Sequence, residues 1–230
     1  MLYLNHEEEK TRVLGPGVRY VVWVQGCKRR CPGCINPLGQ PLSENGYWKS
    51  VAALEQDILH VEGLTGITIS GGEPFLQAEA LAKLVKLIKE NSKLDIMIYS
   101  GYTLKQLREM QNADVDYILG HIDLLVDGEY VEELNHNTIY RGSDNQVIHF
   151  LSSKYISFRE KINNTHNRSV EFVYKNDDLF LVGIPEKGFD EKLWQNLQKV
   201  YLNKSRLTIK SQGGKDKKLK PNRYIEFLLG

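Results

Sequence analysis

All three cysteines of the 230-residue chain, Cys27, Cys31 and Cys34, fall within eight residues. Thiolate sulfurs select soft metals, and a four-iron cube ordinarily takes four of them, one per iron. A loop with the spacing Cys27-x3-Cys31-x2-Cys34, tightened by Pro32 and Gly33, can ligate three irons and leave a fourth open to an external ligand. An open iron is a place for chemistry. Two blander readings stand beside this one. A zinc ion could take its fourth ligand from His6, His60, His121, His136, His149 or His166, although none of these shows the close pairing of an ordinary zinc motif. The thiols could also be unligated. A disulfide framework is not expected, because three cysteines cannot all pair internally and a cytoplasmic compartment keeps thiols reduced.

A second cluster of informative residues is Gly71-Gly72-Glu73-Pro74. Paired glycines let backbone carbonyls approach a ligand closely, and Glu73 adds a carboxylate suited to an ammonium group. The same four residues also read as a plain strand-to-helix turn, with Pro74 at the first helical position, where its missing N–H costs nothing. Ser100 and Asp127 stand where a ribose hydroxyl, a carboxylate or a bound cation would need a polar partner. Asp127 reads equally as a turn residue with Gly128.

These residues need elements to position them, and the hydrophobic pattern supplies a series. Arg19 to Gln25 reads as a strand ending at Gly26, just before the cysteines. Val51, Leu54, Ile58 and Val61 recur at helical spacing until Gly63. Gly66 to Ser70 is a β-branched strand. Leu81, Leu84, Val85 and Ile88 mark a helix with one buried face. Leu94 to Tyr99 is the next strand, Thr103 and Gln106 form a capping-box pattern, and Asp123 to Asp127 closes the series as a short strand. Alternating strands and helices imply a parallel sheet, whose ligands sit at the strands' C-terminal ends. Cys27, Gly71, Ser100 and Asp127 all fall at or just past such ends. The aromatics Tyr20, Trp23, Tyr47 and Trp48 are expected in the core.

Past about Leu151 the character changes. Ser169 to Tyr174 and Leu179 to Ile184 alternate around Asn176-Asp177-Asp178, the pattern of a hairpin. A helix is expected from Asp190, stapled by Phe189 and Trp194, with Leu193, Leu197, Val200 and Tyr201 on its apolar face. The expected organisation is therefore residues 1–150 as the cluster-bearing part and 151–230 as a small α+β extension.

Composition narrows the function classes. Thirty basic against twenty-nine acidic residues give a net charge of +1, which argues against direct nucleic-acid binding. Basic residues concentrate in Lys204 to Arg223, which holds eight Lys or Arg and one Asp. Such a run is ordinarily a solvated face. Its specific alternative, docking of an acidic partner, requires that neutralising Lys215, Lys217, Lys218 and Lys220 remove the salt sensitivity of activity. The longest apolar run, Tyr20 to Val24, is far short of the ~20 residues of a membrane helix. With no secretory pattern at the N-terminus, the expected location is the cytoplasm and no membrane is involved.

The two ordered motifs, Cys27-x3-Cys31-x2-Cys34 after one strand and Gly71-Gly72-Glu73-Pro74 after the next, resemble the signature of radical S-adenosylmethionine (SAM) enzymes. Further landmarks narrow the resemblance. Gly15-Pro16-Gly17-Val18-Arg19, Gly26-Cys27, Cys31-Pro32-Gly33-Cys34 with Asn36, Ser100-Gly101-Tyr102, Leu125-Val126-Asp127-Gly128, and Arg141-Gly142-Ser143 with Asn145-Gln146 are similar to the activating proteins of anaerobic ribonucleotide reductase. The similarity spans about residues 12 to 150. It implies an incomplete (β/α) barrel, one [4Fe-4S] cluster on Cys27, Cys31 and Cys34, and SAM held with help from Gly71, Gly72 and Glu73. Ser100 and Asp127 are further candidates for cofactor contact.

The implied reaction is reductive cleavage of SAM to methionine and a 5′-deoxyadenosyl radical. That radical takes a hydrogen from a backbone glycine of a glycyl radical enzyme, the anaerobic ribonucleotide reductase large subunit. No general acid, base or nucleophile is called for, so no residue is assigned a catalytic role of that kind. The implied electron donor is a flavodoxin or a ferredoxin-type protein. Two departures stand out. Ile35 occupies a position that is usually aromatic in the family, and the chain after Phe150 is longer than the compact activase. Two competing functions remain at this level: a radical SAM enzyme that modifies a peptide or small molecule directly, and a non-catalytic metal-binding module.

Overall fold

Arg19–Val24 forms a strand in which all six residues are buried, because the sheet it belongs to is covered on both faces. The structure, a computed structural model, describes residues 1–175, 178–189, 191–193, 195–196 and 227–229. In chain order its main elements are β1 (Leu2–Thr11), β2 (Arg19–Val24), β3 (Tyr47–Lys49), α1 (Val51–His60), β4 (Gly66–Gly71), α2 (Ala78–Asn91) and β5 (Asp95–Ser100). They continue with α3 (Leu104–Glu109), α4 (Ala113–His121), β6 (Leu124–Asp127), β7 (Val147–Phe150), α5 (Arg159–Asn163), β8 (Val170–Lys175), β9 (Asp178–Gly183) and β10 (Phe227–Leu229).

Seven strands form one sheet in the order β3-β1-β2-β4-β5-β6-β7. Its centre, β2, β4, β5 and β6, is parallel; β1 and β7 flank it antiparallel, and the edge strand β3 pairs antiparallel with β1 and so runs in the direction of the centre. The result is an α/β fold with a mostly parallel sheet. Alternation along each strand sends side chains to two separate cores. One contains Val22, Ile67, Ile69, Ile96, Ile98 and Leu125 against Leu54 and Ile58 of α1, Leu81, Leu84, Val85 and Ile88 of α2, and Val115 and Ile118 of α4. The other contains Val21, Trp23, Met97, Tyr99, Leu124 and Val126. No helix of the α1–α4 series covers this second face. It is packed instead by Leu14, Ile148, Ile162 of α5, Val182 of β9, and Ile184.

The expected strands and helices of the first 130 residues lie where their periodicity puts them, and the Thr103–Gln106 capping box is complete at the start of α3. The hairpin is present as antiparallel β8 and β9. The helix expected from Asp190 lies mostly outside the described residues, and the basic run Lys204 to Arg223 lies wholly outside them. One expectation is corrected. Tyr20 and Trp23 are buried, but Tyr47 and Trp48 are exposed, Trp48 by 64%. The short strand β3 pairs only with β1, so its residues have the sheet on one side and solvent on the other, and Trp48 stacks on Tyr3 with ring centroids 4.9 Å apart. No helix among the described residues is long and apolar enough to cross a membrane.

Register aligns the C-terminal strand ends. Val24 pairs with Gly71, and Ser100 with Asp127. The loops leaving β2, β4, β5 and β6 therefore emerge side by side, and the candidate residues are on them.

Candidate functional site

The loop after β2 and the turn after β4 are bonded to each other. Gly72 N donates to Val24 O at 2.7 Å and Glu73 N donates to Gly26 O at 2.8 Å, while Gly26 N and Cys27 N donate to Gly39 O and Gln40 O. Glycine is required here for contact as well as conformation. Gly71 has φ +108°, and a Cβ on it would lie 2.4 Å from the Val24 backbone. A Cβ on Gly72 would lie 2.2 Å from Gly26 O. The Gly-Gly pair thus lets the cysteine-bearing loop and the Glu73 turn touch through their backbones.

Cys27, Cys31 and Cys34 line a recess of about 100 Å³ together with Gly71, Gly72, Glu73 and Ser100. Its other wall comes from farther along the chain: Tyr99, Gly128, Tyr130, Gly142 and Gln146. Ile35 lines the recess too. Burial pushes the Cys27 and Cys31 thiols up, opposed at Cys27 by the N–H groups of Arg29 and Arg30 and at Cys31 by that of Tyr130. Metal binding, which needs thiolates, must displace those protons.

Glu73 is 1% exposed. Its carboxylate accepts from Phe75 N at 3.1 Å, Ser100 Oγ at 3.0 Å and Gly101 N at 2.7 Å. Burial nevertheless pushes its pKa up to about 7, against these three donors and nearby Arg29. Ser100 holds Glu73 in place and in turn accepts from Tyr102 N at 3.0 Å. Asp127 stands apart from this group. Its Oδ2 accepts from Leu104 N at 2.5 Å and bonds His149 Nε2 at 2.8 Å, so it ties α3 and β7 to the end of β6 and does not line the recess.

Arg29, one of the recess residues that sequence reasoning missed, lies over the Tyr102 ring at 4.2 Å, pairs with Glu129 and donates to Gln106 Oε1 at 3.2 Å. It fastens the cysteine loop to the strand ends beyond it. Tyr99 was equally legible in principle, since it faces away from the helices at the last turn of the pleat in β5. Arg141 is partly buried, donating to Gln146 O at 3.2 Å and Asn163 O at 3.3 Å.

Whether these residues suit an iron–sulfur cluster can be tested on the chemistry of the walls. Three thiols share the recess, and no histidine lines it. Among the described residues no three His, Cys, Asp or Glu side chains converge tightly enough to share a single metal ion. Three thiolates with no histidine beside them lack the fourth ligand of a structural zinc site and suit a group of several irons, each taking one thiolate. Among the described residues, three of the five buried side-chain nitrogen or oxygen atoms without a partner, Arg29 Nε, Asn36 Nδ2 and Tyr99 Oη, belong to residues on this recess. Buried polar atoms are rarely left so, and three residues carrying one line this recess. The larger cavity, about 890 Å³, lies at the opposite ends of the strands among Leu59, Leu64, Leu94, Tyr155 and Ile162, and holds none of these groups.

Residues 13–149 match the family model described as a 4Fe-4S single cluster domain. The chain belongs to that family, and with it to the radical SAM activases. It is 36% identical over 149 residues to the anaerobic ribonucleoside-triphosphate reductase-activating protein of Salmonella typhimurium, covering 60% of this chain and 92% of the relative. The protein of the same name from Escherichia coli K12 is 36% identical over 155 residues, with the same coverage. The pyruvate formate-lyase-activating enzyme of Staphylococcus aureus is 27% identical over 187 residues, 79% of this chain and 74% of the relative. The chain is thus an enzyme of a family built around an iron–sulfur cluster.

Proposed function

We infer that this enzyme activates a glycyl radical enzyme, the anaerobic ribonucleoside-triphosphate reductase, by abstracting a hydrogen from a backbone glycine with the help of SAM. The observation that supports this most is the backbone stitching of the Cys27 loop to the Gly72–Glu73 turn, which makes two separate motifs into one recess. In this reading the sheet is the incomplete barrel of the family, with residues 151–230 an added part, and the protein works in the cytoplasm.

Cys27, Cys31 and Cys34 would hold one [4Fe-4S] cluster and leave one iron without a protein ligand. When bound, the cluster and SAM supply the one-electron cleavage that yields a hydrogen-abstracting species; the protein's share is binding and orientation. Glu73 is suited to a substrate ammonium: it is buried, anchored by three donors and easily ionised by a neighbouring cation, which would lower its pKa from about 7. Gly71 and Gly72 line the same recess, where the lack of side chains leaves their backbone open to a ligand. Ser100 fixes Glu73, and Asp127, bonded to Leu104 N and His149, supports the loops beside the recess. Ile35 is placed to shed water from the recess. The reductant is a flavodoxin or ferredoxin-type protein.

The Staphylococcus aureus relative favours a second reading in which the partner is another glycyl radical enzyme such as pyruvate formate-lyase. Oxygen-free protein given SAM, a reductant and each candidate partner in turn decides between them. A glycyl radical signal in electron paramagnetic resonance is expected with the ribonucleotide reductase. Cleavage of SAM with a silent reductase contradicts the first reading, and a signal in the lyase selects the second. A mass shift on a co-expressed peptide without any partner radical would point to direct modification instead.

A further inference from the structure

Arg168 lies beyond residue 149, where the family match ends, yet it reaches the wall of the recess. Its residue is 8% exposed, and its guanidinium is held by backbone carbonyls rather than by a carboxylate. Nε donates to Thr138 O at 3.1 Å, Nη1 to Pro185 O at 3.0 Å, and Nη2 to both Arg141 O and Gly142 O, the latter at 3.0 Å. One planar cation thereby joins the segment 138–142 to the chain after β9. Gly142 is itself a recess residue. From its other side Gly142 N donates to Gln146 Oε1 at 2.7 Å, and Gln146 Nε2 donates to Gly128 O at 2.8 Å. The wall opposite the cysteines is therefore held between Gln146 on one side and Arg168 on the other.

The neighbourhood repeats the pattern. Ile139 N donates to Thr165 O at 2.9 Å, Arg141 donates to Asn163 O, and Lys187 N donates to Asn137 Oδ1 at 3.0 Å. Asp144 and Glu186 act on the Arg168 guanidinium only from a distance, while all of its hydrogen bonds go to carbonyls. Burying a guanidinium is costly, and such a group persists where its charge-assisted bonds hold something that would otherwise drift. Lysine offers its donors from a single point and cannot span carbonyls on both sides as the guanidinium fork does.

We propose that Arg168 is a positioning residue that clamps the recess wall at Thr138, Arg141 and Gly142, so that residues after Phe150 set the geometry of the site. The functional part of this rests on the activase reading; the clamp itself does not. It gives the extension a task that the first 150 residues leave undone.

The test uses the full-length protein as Arg168→Ala and Arg168→Lys. Amide hydrogen exchange is read on the cluster-free protein. In Arg168→Ala, exchange at Gly142 and Ser143 should rise at least tenfold while Ile67–Ile69 and Met97–Ile98 stay within twofold, and Arg168→Lys should fall between. With reconstituted protein, SAM and reductant, glycyl radical formed per SAM cleaved should drop at least fivefold in Arg168→Ala. Unchanged exchange at Gly142 and Ser143, or an equal rise in β4 and β5, overturns the clamp. Local loosening with an unaltered radical yield overturns its role in the site. If the parent protein cleaves no SAM, the activase reading fails, and the exchange result alone decides the clamp.

Discussion

The two ends of the parallel strands treat buried charge in opposite ways. At the N-terminal end, Arg19 and Asp95 are fully buried and 2.6 Å apart. Arg19 also donates to Thr68 Oγ1, Pro16 O and Ile67 O, and Asp95 Oδ2 accepts from Tyr155 Oη at 2.7 Å, with Lys154 Nζ at 3.1 Å. Asp95 Oδ1 lacks an aligned hydrogen bond but faces a guanidinium at ion-pair distance. At the C-terminal end, Arg29 Nε, Asn36 Nδ2 and Tyr99 Oη are buried with no partner, and the Glu73 carboxylate sits in an environment that resists its charge. One end spends its polar groups on holding strands together; the other keeps capacity in reserve for something that binds. That asymmetry separates a structural ion pair from a site more clearly than cavity size does, since the larger cavity is at the satisfied end.

The largest effect should come from the open end. Cys31→Ala removes one of three thiolates, and deoxyadenosine formation from SAM should fall at least a hundredfold while circular dichroism keeps the fold signature. At the satisfied end, Asp95→Ala leaves Arg19 buried and unpaired and should cost about 3–5 kcal/mol in urea unfolding. Replacing both partners, Arg19→Met with Asp95→Leu, should cost less than the single change. If the single change costs under about 1 kcal/mol, the contrast between the two ends fails.

Glu73 sharpens the comparison through pH. Its folded pKa, about 7, lies above its ordinary value of 4.5, so the folded state binds the proton more tightly. The group therefore favours folding fully below pH 4.5, and this contribution is lost as the pH rises through 7, by up to about 3 kcal/mol. Glu73→Gln should flatten that part of the stability profile, measured by urea unfolding at pH 5 and pH 8; an unchanged slope would assign the burial cost elsewhere. The smallest effect belongs to the sheet edge. Trp48→Ala loses a ring stacked on Tyr3 and mostly solvated, and should change stability by about 1 kcal/mol or less, read from the thermal midpoint.

Local pattern carried the sequence reading as far as local pattern can reach. Val51, Leu54 and Ile58 recur at one spacing on α1, the cysteine spacing is contained in eight residues, and Thr103 with Gln106 caps its own helix. What stayed hidden depends on distant pairing. β1 carries Glu7, Glu8 and Glu9, a poor strand by composition, and is a strand because β2 and β3 flank it. Tyr47 and Trp48 look like core by residue type and are exposed because β3 is an edge. Asp127 sits at the right strand end, but its neighbours Leu104 and His149 turn its carboxylate to the loops. Tyr130 lines the recess, and Arg168 backs its wall, only through the return of the chain after β6, which no spacing in the sequence encodes.

The central claim, that three thiols in one recess hold a cluster with an unligated corner, is met most directly by counting iron and acid-labile sulfide on protein reconstituted without oxygen. About four of each per chain are expected. A colourless protein carrying no iron after such treatment, or one carrying a single zinc ion, would contradict it.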